Sequence, residues 1–221
     1  MGFLKKFTKQ EISWMMYDWA NSAHSVIVVT ILPIFFDTVA GYTADSVSSM
    51  STWGFATSLA MAIVALSAPF LGVFGDIRGM RKKLFTVFML LGVVSVAGLA
   101  FTPLMDFTAS TAAAGRVAAM VLVLYILSTI GFDASCIYYD AFLTDVTTEE
   151  RMDSVSTLGY GLGYIGGSTI PLLIFLIMNA VGVHHLPHLF HPGCQRLLQK
   201  FLSGDPVHTP FLRGNQFALK F

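Results

Sequence analysis

The chain has 221 residues, of which 55% are hydrophobic and only 12% are charged, whereas ordinary soluble domains carry about 25% charged residues. Its 13 basic and 13 acidic residues cancel to a formal charge of zero, so no basic excess favours nucleic-acid binding. The two cysteines, Cys136 and Cys194, have neither metal-ligand spacing nor the pattern of a disulfide framework. This composition excludes a soluble domain and predicts an all-α integral membrane protein that has the lipid bilayer as a partner.

Five apolar stretches are long enough to form membrane helices, each of which needs about 20 mostly apolar residues. They cover about residues 19–36, 53–74, 84–104, 117–139 and 155–183. The first stretch follows Lys5, Lys6 and Lys9, but no small-residue cleavage site comes after it, which favours a retained helix over a signal peptide. We therefore predict one multi-pass transmembrane domain over residues 1–183.

The positive charges between the stretches predict the orientation in the membrane. The loop after the second stretch contains Arg78, Arg81, Lys82 and Lys83, whereas the loop after the first contains no basic residue. Because short basic loops stay on the cytoplasmic side, we expect this loop and the N-terminus to lie in the cytoplasm.

Residues 184–221 break the pattern, because they are rich in basic residues and prolines and hold five of the six histidines. After five spans this tail would lie outside the cytoplasm, against the charge rule. We prefer a truncated or frame-shifted end over a short extracytoplasmic tail. Several of its histidines have spacings that imitate a metal site, but prolines interrupt any helix there, so we expect neither a metal nor another cofactor. These histidines are His184, His185, His188 and His191.

A polar stripe marks the first apolar stretch, within the heptapeptide DWANSAH at residues 18–24. Asp18, Asn21, Ser22 and Ser25 are spaced i, i+3, i+4 and i+7, which places them on one helix face. A carboxylate near hydrocarbon is costly, so we predict that this face lines a cavity. Two alternatives remain: the amide and hydroxyl groups hold helices together, or Asp18 caps the start of the helix.

The fourth stretch carries two carboxylates, Asp133 and Asp140, which are seven residues apart and so share one helix face. Two charged carboxylates on an intramembrane face repel each other, which favours a proton on at least one of them and a role in proton coupling. The alternative is that Asp140 lies at the membrane interface while Asp133 pairs with a tyrosine or a backbone group.

The fifth stretch combines glycines with tyrosines. Gly159, Gly163 and Gly167 are four residues apart, which predicts a seam for close helix packing. Tyr160 and Tyr164 lie beside that seam, and we predict that they line the cavity.

The basic loop also has a regular pattern, GxxxDxxGxR. Glycines permit a close helix approach and unusual backbone angles, and Asp76 can pair with Arg81 or cap the next helix. The residues of this pattern are Gly72, Asp76, Gly79 and Arg81. They resemble the loop signature that transporters of the major facilitator superfamily carry between their second and third helices.

Three further segments are similar to one branch of that superfamily, the UMF1 or autophagy-related-protein-22-like family. They are residues 18–24 (DWANSAH), 139–145 (YDAFLTD) and 158–167 (LGYGLGYIGG). The resemblance implies a twelve-helix transporter of two halves, of which this chain would hold an incomplete N-terminal six-helix half.

The resemblance also implies a function: secondary active transport of a small solute by alternating access, with amino acids as the solute class of the fungal members. The coupling ion follows from the residues and not from the resemblance: the Asp133 and Asp140 pair favours a proton. The C-terminal half would be present in an intact homologue. The membrane would be the cell membrane, or the vacuolar membrane in a fungus. The alternative is a truncated fragment or an accessory membrane protein that transports nothing. We expect no enzymatic activity, since the chain lacks a nucleotide-binding loop, HExxH and a nucleophile elbow.

Overall fold

The computed structural model describes residues 6–43, 49–170 and 172–173. These residues form long helices and contain no strand, which confirms the all-α fold class. We number the helices in chain order as α1 (Lys9–Ala40), α2 (Ser49–Asp76), α3 (Met80–Phe101), α4 (Thr111–Val146) and α5 (Glu149–Leu162). A short 3-10 turn, Thr102–Leu104, follows α3, and a wide π-helical turn, Gly163–Thr169, continues α5.

Helices α1 to α4 are long and apolar enough to cross a membrane, with mean hydropathies between 1.8 and 2.4 over their most apolar windows. They lie over the first four predicted spans. The fifth predicted span, 155–183, is described only as far as residue 173. The tail at 184–221, with the four histidines considered as metal ligands, lies outside the described residues.

Helix α1 begins at Lys9, well before the predicted start near Trp19. Thr8 caps it: the Thr8 hydroxyl accepts a hydrogen bond from the Glu11 N–H, and the Glu11 carboxylate accepts one from the Thr8 N–H. This reciprocal capping box satisfies two backbone donors that the first helical turn leaves unpaired. The alternative that Asp18 caps the helix is therefore wrong, because Asp18 lies roughly 14 Å along the axis at about 1.5 Å per residue.

A π-helical turn, Ile27–Ile31, interrupts α1 near its middle. Pro33 follows this turn and has no N–H to donate to a carbonyl four residues earlier. The preceding N–H, that of Leu32, reaches back five residues to the carbonyl of Ile27. The wide turn thus accommodates the proline without breaking the helix, in a conformation that often marks functional regions.

Helix α4 is the centre of the bundle and contacts α1, α2 and α3. It crosses α3 where Gly92 and Gly131 face each other without side chains. A Cβ atom on Gly131 would lie 2.8 Å from the carbonyl oxygen of Phe88, so the two backbones are in direct contact. Small residues at such crossings permit this separation between membrane helices.

Two apolar clusters stabilise the opposite ends of the bundle. One contains Phe35, Val121 and the rings of Trp53 and Tyr125, which stack with their centroids 4.3 Å apart. The other surrounds Trp14. Large side chains elsewhere on α2 and α3 point outward, as lipid-facing residues do; examples are Phe55, Leu66, Phe70, Val73 and Val94. Polar side chains of α1 and α4 lie between the two clusters.

Candidate functional site

One end of the bundle contains Glu11, Arg81 and Arg151, and we call it the charged end. The polar stripe of α1 faces α4 in the half of the bundle nearer to this end. The Asn21 amide donates a hydrogen bond to the Cys136 sulfur at 3.3 Å. Asp18 and Ser22 are half-buried, whereas Ser25 is exposed and makes no contact with this group. Three of the four predicted residues therefore face a helix interface, and Ser25 does not.

The stripe of α4 meets that of α1. Cys136 lies between Asp133 and Asp140 on one face and within electrostatic range of both carboxylates and of Asp18. The Asp18 carboxylate is close enough to that of Asp140 for their charges to interact. On the α5 side, the Tyr160 hydroxyl donates to Asp140 Oδ1 at 3.3 Å. We call this group the acidic cluster; it consists of Asp18, Asn21, Asp133, Cys136, Asp140 and Tyr160.

The carboxylates of the acidic cluster differ in their partners. Asp140 is exposed and accepts the hydrogen bond from Tyr160. Asp133 and Asp18 are half-buried, and no hydrogen bond or ion pair reaches either of them from the described residues. Such groups are costly in an apolar helix, and they are usually retained where they contact water, an ion or a substrate.

Two contacts that the sequence analysis missed fix α1 against α4 beside the cluster. Tyr17 and Ser135 share a hydrogen bond between their hydroxyl oxygens, 3.0 Å apart. His24 stacks on the ring of Phe132, with centroids 4.4 Å apart, and its Nε2 lies 3.4 Å from the Ser128 hydroxyl. His24 belongs to the DWANSAH segment, but it lies on a different helix face from Asp18, and no sequence pattern indicates its partners on α4.

The glycine seam of α5 packs directly on α1. A Cβ atom on Gly159 would collide with the Trp14 ring, one on Gly163 with the Asp18 carboxylate and the Ser22 hydroxyl, and one on Gly167 with the backbone of Trp19. The glycines thus bring α5 close enough for Tyr160 to reach Asp140. Tyr164 turns away and is 74% exposed, so it does not join the acidic cluster.

A shallow apolar cavity of about 300 Å³ lies between α1 and the π-helical turn of α5. Its lining contains no charged side chain and consists of Met16, Trp19, Ala20, Ala23, Gly166 and Gly167. Because only a polar lining can orient a polar solute, we assign the candidate site to the acidic cluster and not to this cavity.

Residues of the GxxxDxxGxR pattern connect α2, α3 and α4. Gly79 has φ +80°, a left-handed conformation that glycine adopts without strain, at the start of α3. Arg81 donates to Asp145 on α4 at 2.8 Å and lies 3.7 Å from Asp76. Gly72, by contrast, has open space where a Cβ would lie, so it provides no close helix approach among the described residues.

Glu11 is the second group that the sequence analysis missed. It is only 1% exposed, and it accepts hydrogen bonds from the Thr8 N–H at 2.7 Å and the Thr147 hydroxyl at 2.7 Å. It also pairs with Arg151 at 3.0 Å, whose guanidinium lies over the Phe7 ring. The Thr8-x-x-Glu11 spacing is a capping-box signal, but the partners at Thr147 and Arg151 are distant in the chain.

The chain is 42% identical over 173 residues to a protein of Bacillus subtilis (strain 168) named as the uncharacterized MFS-type transporter YxiO. The match covers 77% of this chain and 38% of that relative, so the chain spans well under half of the relative's length. This similarity supports membership of the major facilitator superfamily. No family model and no solved structure matches the chain.

The all-α bundle described above is consistent with part of one helical half of a major facilitator fold. The apolar helices and the transporter relative indicate a multi-pass membrane protein. Among the described residues, no three histidine, cysteine or acidic side chains are placed to hold a metal ion.

Proposed function

We propose that the chain is part of a secondary active transporter that moves a small solute across the membrane by alternating access. One observation carries the proposal: α1, α4 and α5 bring the acidic cluster together inside apolar helices, where two of its carboxylates have no partner from the described residues. Polar groups of this kind, facing the interior of a helix bundle, commonly mark the pathway of a substrate or ion.

Alternating access requires a second group of helices that rocks against the first around the solute site. The Bacillus relative is much longer than the matched segment, which leaves room for such a group. We therefore propose that a C-terminal half completes the site in the intact transporter. The acidic cluster would then line a cavity between the two halves, with the charged end in the cytoplasm.

The finer features of this proposal come from the resemblance in the sequence. They are membership of the UMF1 branch, amino acids as the solute class and location in the cell membrane. The coupling ion is proposed from the residues themselves, because Asp133 and Asp140 share one helix face and favour a proton. The carboxylates supply groups that could exchange a proton during transport. Asp140 is exposed and Asp133 is half-buried, and the two lie seven residues apart on the same face of α4.

Release of isotope-labelled amino acids from proteoliposomes tests the proposal. The assay compares the full chain with the Bacillus transporter in which this chain replaces the matching segment. We expect the chimaera to release solute over time and Asp18→Asn to slow release at least about tenfold, since a charged contact to the solute is lost.

The matched control is Asp153→Asn, which makes the same chemical change at an exposed carboxylate of α5 with no described side-chain contact. We expect it to leave release unchanged. Release from both proteins at the rate of protein-free vesicles would contradict transport and favour the accessory, non-transporting role.

A further inference from the structure

The acidic cluster has an unbalanced charge. It contains three carboxylates, while the arginines that form ion pairs in the described residues are bound elsewhere: Arg81 to Asp76 and Asp145, and Arg151 to Glu11. His24 is the nearest basic residue of α1, and it is stacked on Phe132 and directed to Ser128. No basic side chain of the described residues therefore pairs with Asp18 or Asp133.

A second, independent observation concerns Thr129, which lies one helical turn before Asp133 on α4. Thr129 is only 8% exposed, and its hydroxyl has no hydrogen-bond partner among the described residues. Thr129, Asp133, Cys136 and Asp140 are spaced i, i+4, i+7 and i+11, so they form one stripe on the helix. A buried hydroxyl without a partner costs about 1–3 kcal/mol, so its place on this stripe points to a ligand that supplies the missing hydrogen bond.

The neutral side chains of the acidic cluster already donate hydrogen bonds within it. The Asn21 amide donates to Cys136, and the Tyr160 hydroxyl donates to Asp140. The atoms that remain without a partner are the carboxylate oxygens of Asp18 and Asp133, which accept hydrogen bonds, and the Thr129 hydroxyl, which can accept one as well as donate one. An alkylammonium group has three N–H donors, no acceptor and a positive charge, which matches this set of acceptors.

We propose that the solute bound at the acidic cluster carries a positive charge, in the form of an ammonium group on a small organic molecule. This inference rests on the proposed function, because it assigns a substrate class to the same site. No group of three histidine, cysteine or acidic side chains in the described residues is placed to hold a metal ion, whereas an ammonium group requires only hydrogen-bond acceptors around it. An anionic solute would be repelled by the unpaired carboxylates.

Cys136 provides a natural probe, because it lies within electrostatic range of all three carboxylates. The full chain with Cys194→Ser is placed in lipid nanodiscs and treated with two thiol reagents of similar size and opposite charge. These are trimethylammonium-ethyl methanethiosulfonate, which is cationic, and sulfonato-ethyl methanethiosulfonate, which is anionic. The ratio of their labelling rates is compared with the ratio for free cysteine in the same buffer.

We expect the cationic reagent to be favoured at Cys136 by at least about tenfold more than at free cysteine, because nearby charges in a low dielectric interact strongly. Asp18→Asn combined with Asp133→Asn should return the ratio close to that of free cysteine, whereas Asp153→Asn should leave it unchanged. Butylammonium should slow the cationic labelling more than butanol or butyrate at equal concentration.

A ratio at or below that of free cysteine overturns the proposal. So does a failure of both reagents to reach Cys136, or equal protection by the three small probes. The first measurement uses the unaltered cluster, so it does not depend on the folding of a site variant. Labelling also requires no flux, so the two proposals fail separately: charge selectivity at Cys136 without release from the chimaera contradicts transport and leaves the charge preference of the site intact.

Discussion

Glu11 and Asp133 are acidic residues in membrane helices of the same bundle, yet their surroundings are opposite. Glu11 is almost fully buried and is paired with Arg151, the Thr147 hydroxyl and the Thr8 N–H. Asp133 is half-buried and has no such partner in the described residues. The fold thus satisfies the buried charge of Glu11, which holds helices together, and leaves the carboxylate of Asp133 without a partner from the described residues.

The largest loss of stability is expected from Glu11→Ala. The substitution leaves Arg151 and the Thr147 hydroxyl without their partner and removes half of the capping box. Arg151 is partly exposed and can be solvated, but the loss of the hydrogen bonds to the buried carboxylate and of the cap should reduce the unfolding free energy by about 2–4 kcal/mol. Denaturant unfolding in detergent micelles, followed by tryptophan fluorescence, measures it.

Its control is Glu150→Ala, an exposed glutamate in the first turn of α5. That change removes only a favourable interaction with the helix dipole and should cost less than about 1 kcal/mol. Equal losses in the two variants would show that the contacts of Glu11 contribute nothing special.

A second test alters the packing around the unsatisfied carboxylate. In Gly163→Ala the new methyl group would collide with the Asp18 carboxylate and the Ser22 hydroxyl, so α5 must move away from α1. We expect a loss of about 1–3 kcal/mol, as for other overpacked interfaces, together with a slower reaction of Cys136 with cationic reagents.

Gly161→Ala is the matched control on the same helix, because nothing lies within 4 Å of the added carbon. Alanine is the better helix former, so this variant should be unchanged or more stable by about 0.5–1 kcal/mol. If Gly161→Ala destabilises as much as Gly163→Ala, close packing on Asp18 is not the cause.

Arg81→Ala tests a charged group that is intermediate between Glu11 and Asp133, because its ion pair is partly exposed. Arg81 binds Asp145 at 2.8 Å, but both side chains retain contact with solvent. We expect a loss of about 1 kcal/mol that shrinks as salt is raised. Asp76→Asn should have a smaller effect still, since that carboxylate is 83% exposed and 3.7 Å from Arg81. A loss from Arg81→Ala that does not respond to salt would argue against an electrostatic origin.

The smallest change in stability is expected from Asp133→Asn. This variant is the most direct test of the difference between Asp133 and Glu11. The amide has nearly the same shape, and no described partner is lost. We expect the unfolding free energy to stay the same or to rise by up to about 1 kcal/mol, because an unpaired charge no longer has to be desolvated. Glu11→Gln, the same chemical change at the paired site, should be clearly destabilising. A comparable loss in both variants would mean that Asp133 has a structural partner.

The sequence predicted the all-α fold and the regions of the first four helices, because long apolar runs leave few alternatives in a membrane. Periodicity also placed Asp133 and Asp140 on one face of α4, and Asp18 and Asn21 on one face of α1. Which faces would meet could not be predicted, since that depends on how the helices cross. The approach of Tyr160 to Asp140 and the outward turn of Tyr164 follow from the packing and π-helical shape of α5.

The start of α1 was wrongly predicted for a physical reason. The polar residues of DWANSAH were taken as the edge of the membrane, whereas the helix extends through the interface to its cap at Thr8. The hydropathy of a segment reports its surroundings and not its hydrogen bonding, so it misses helix turns outside the hydrocarbon. The capping-box spacing at Thr8 and Glu11 was the signal that could have corrected it.

The contact between Gly92 and Gly131 has a mechanical consequence. Side chains between two helices act as a deformable layer that can change rotamers when the helices slide, but at this crossing the backbones touch and no such layer exists. Helices α3 and α4 should therefore move as one rigid unit, so any large displacement of helices within the bundle should leave their crossing unchanged.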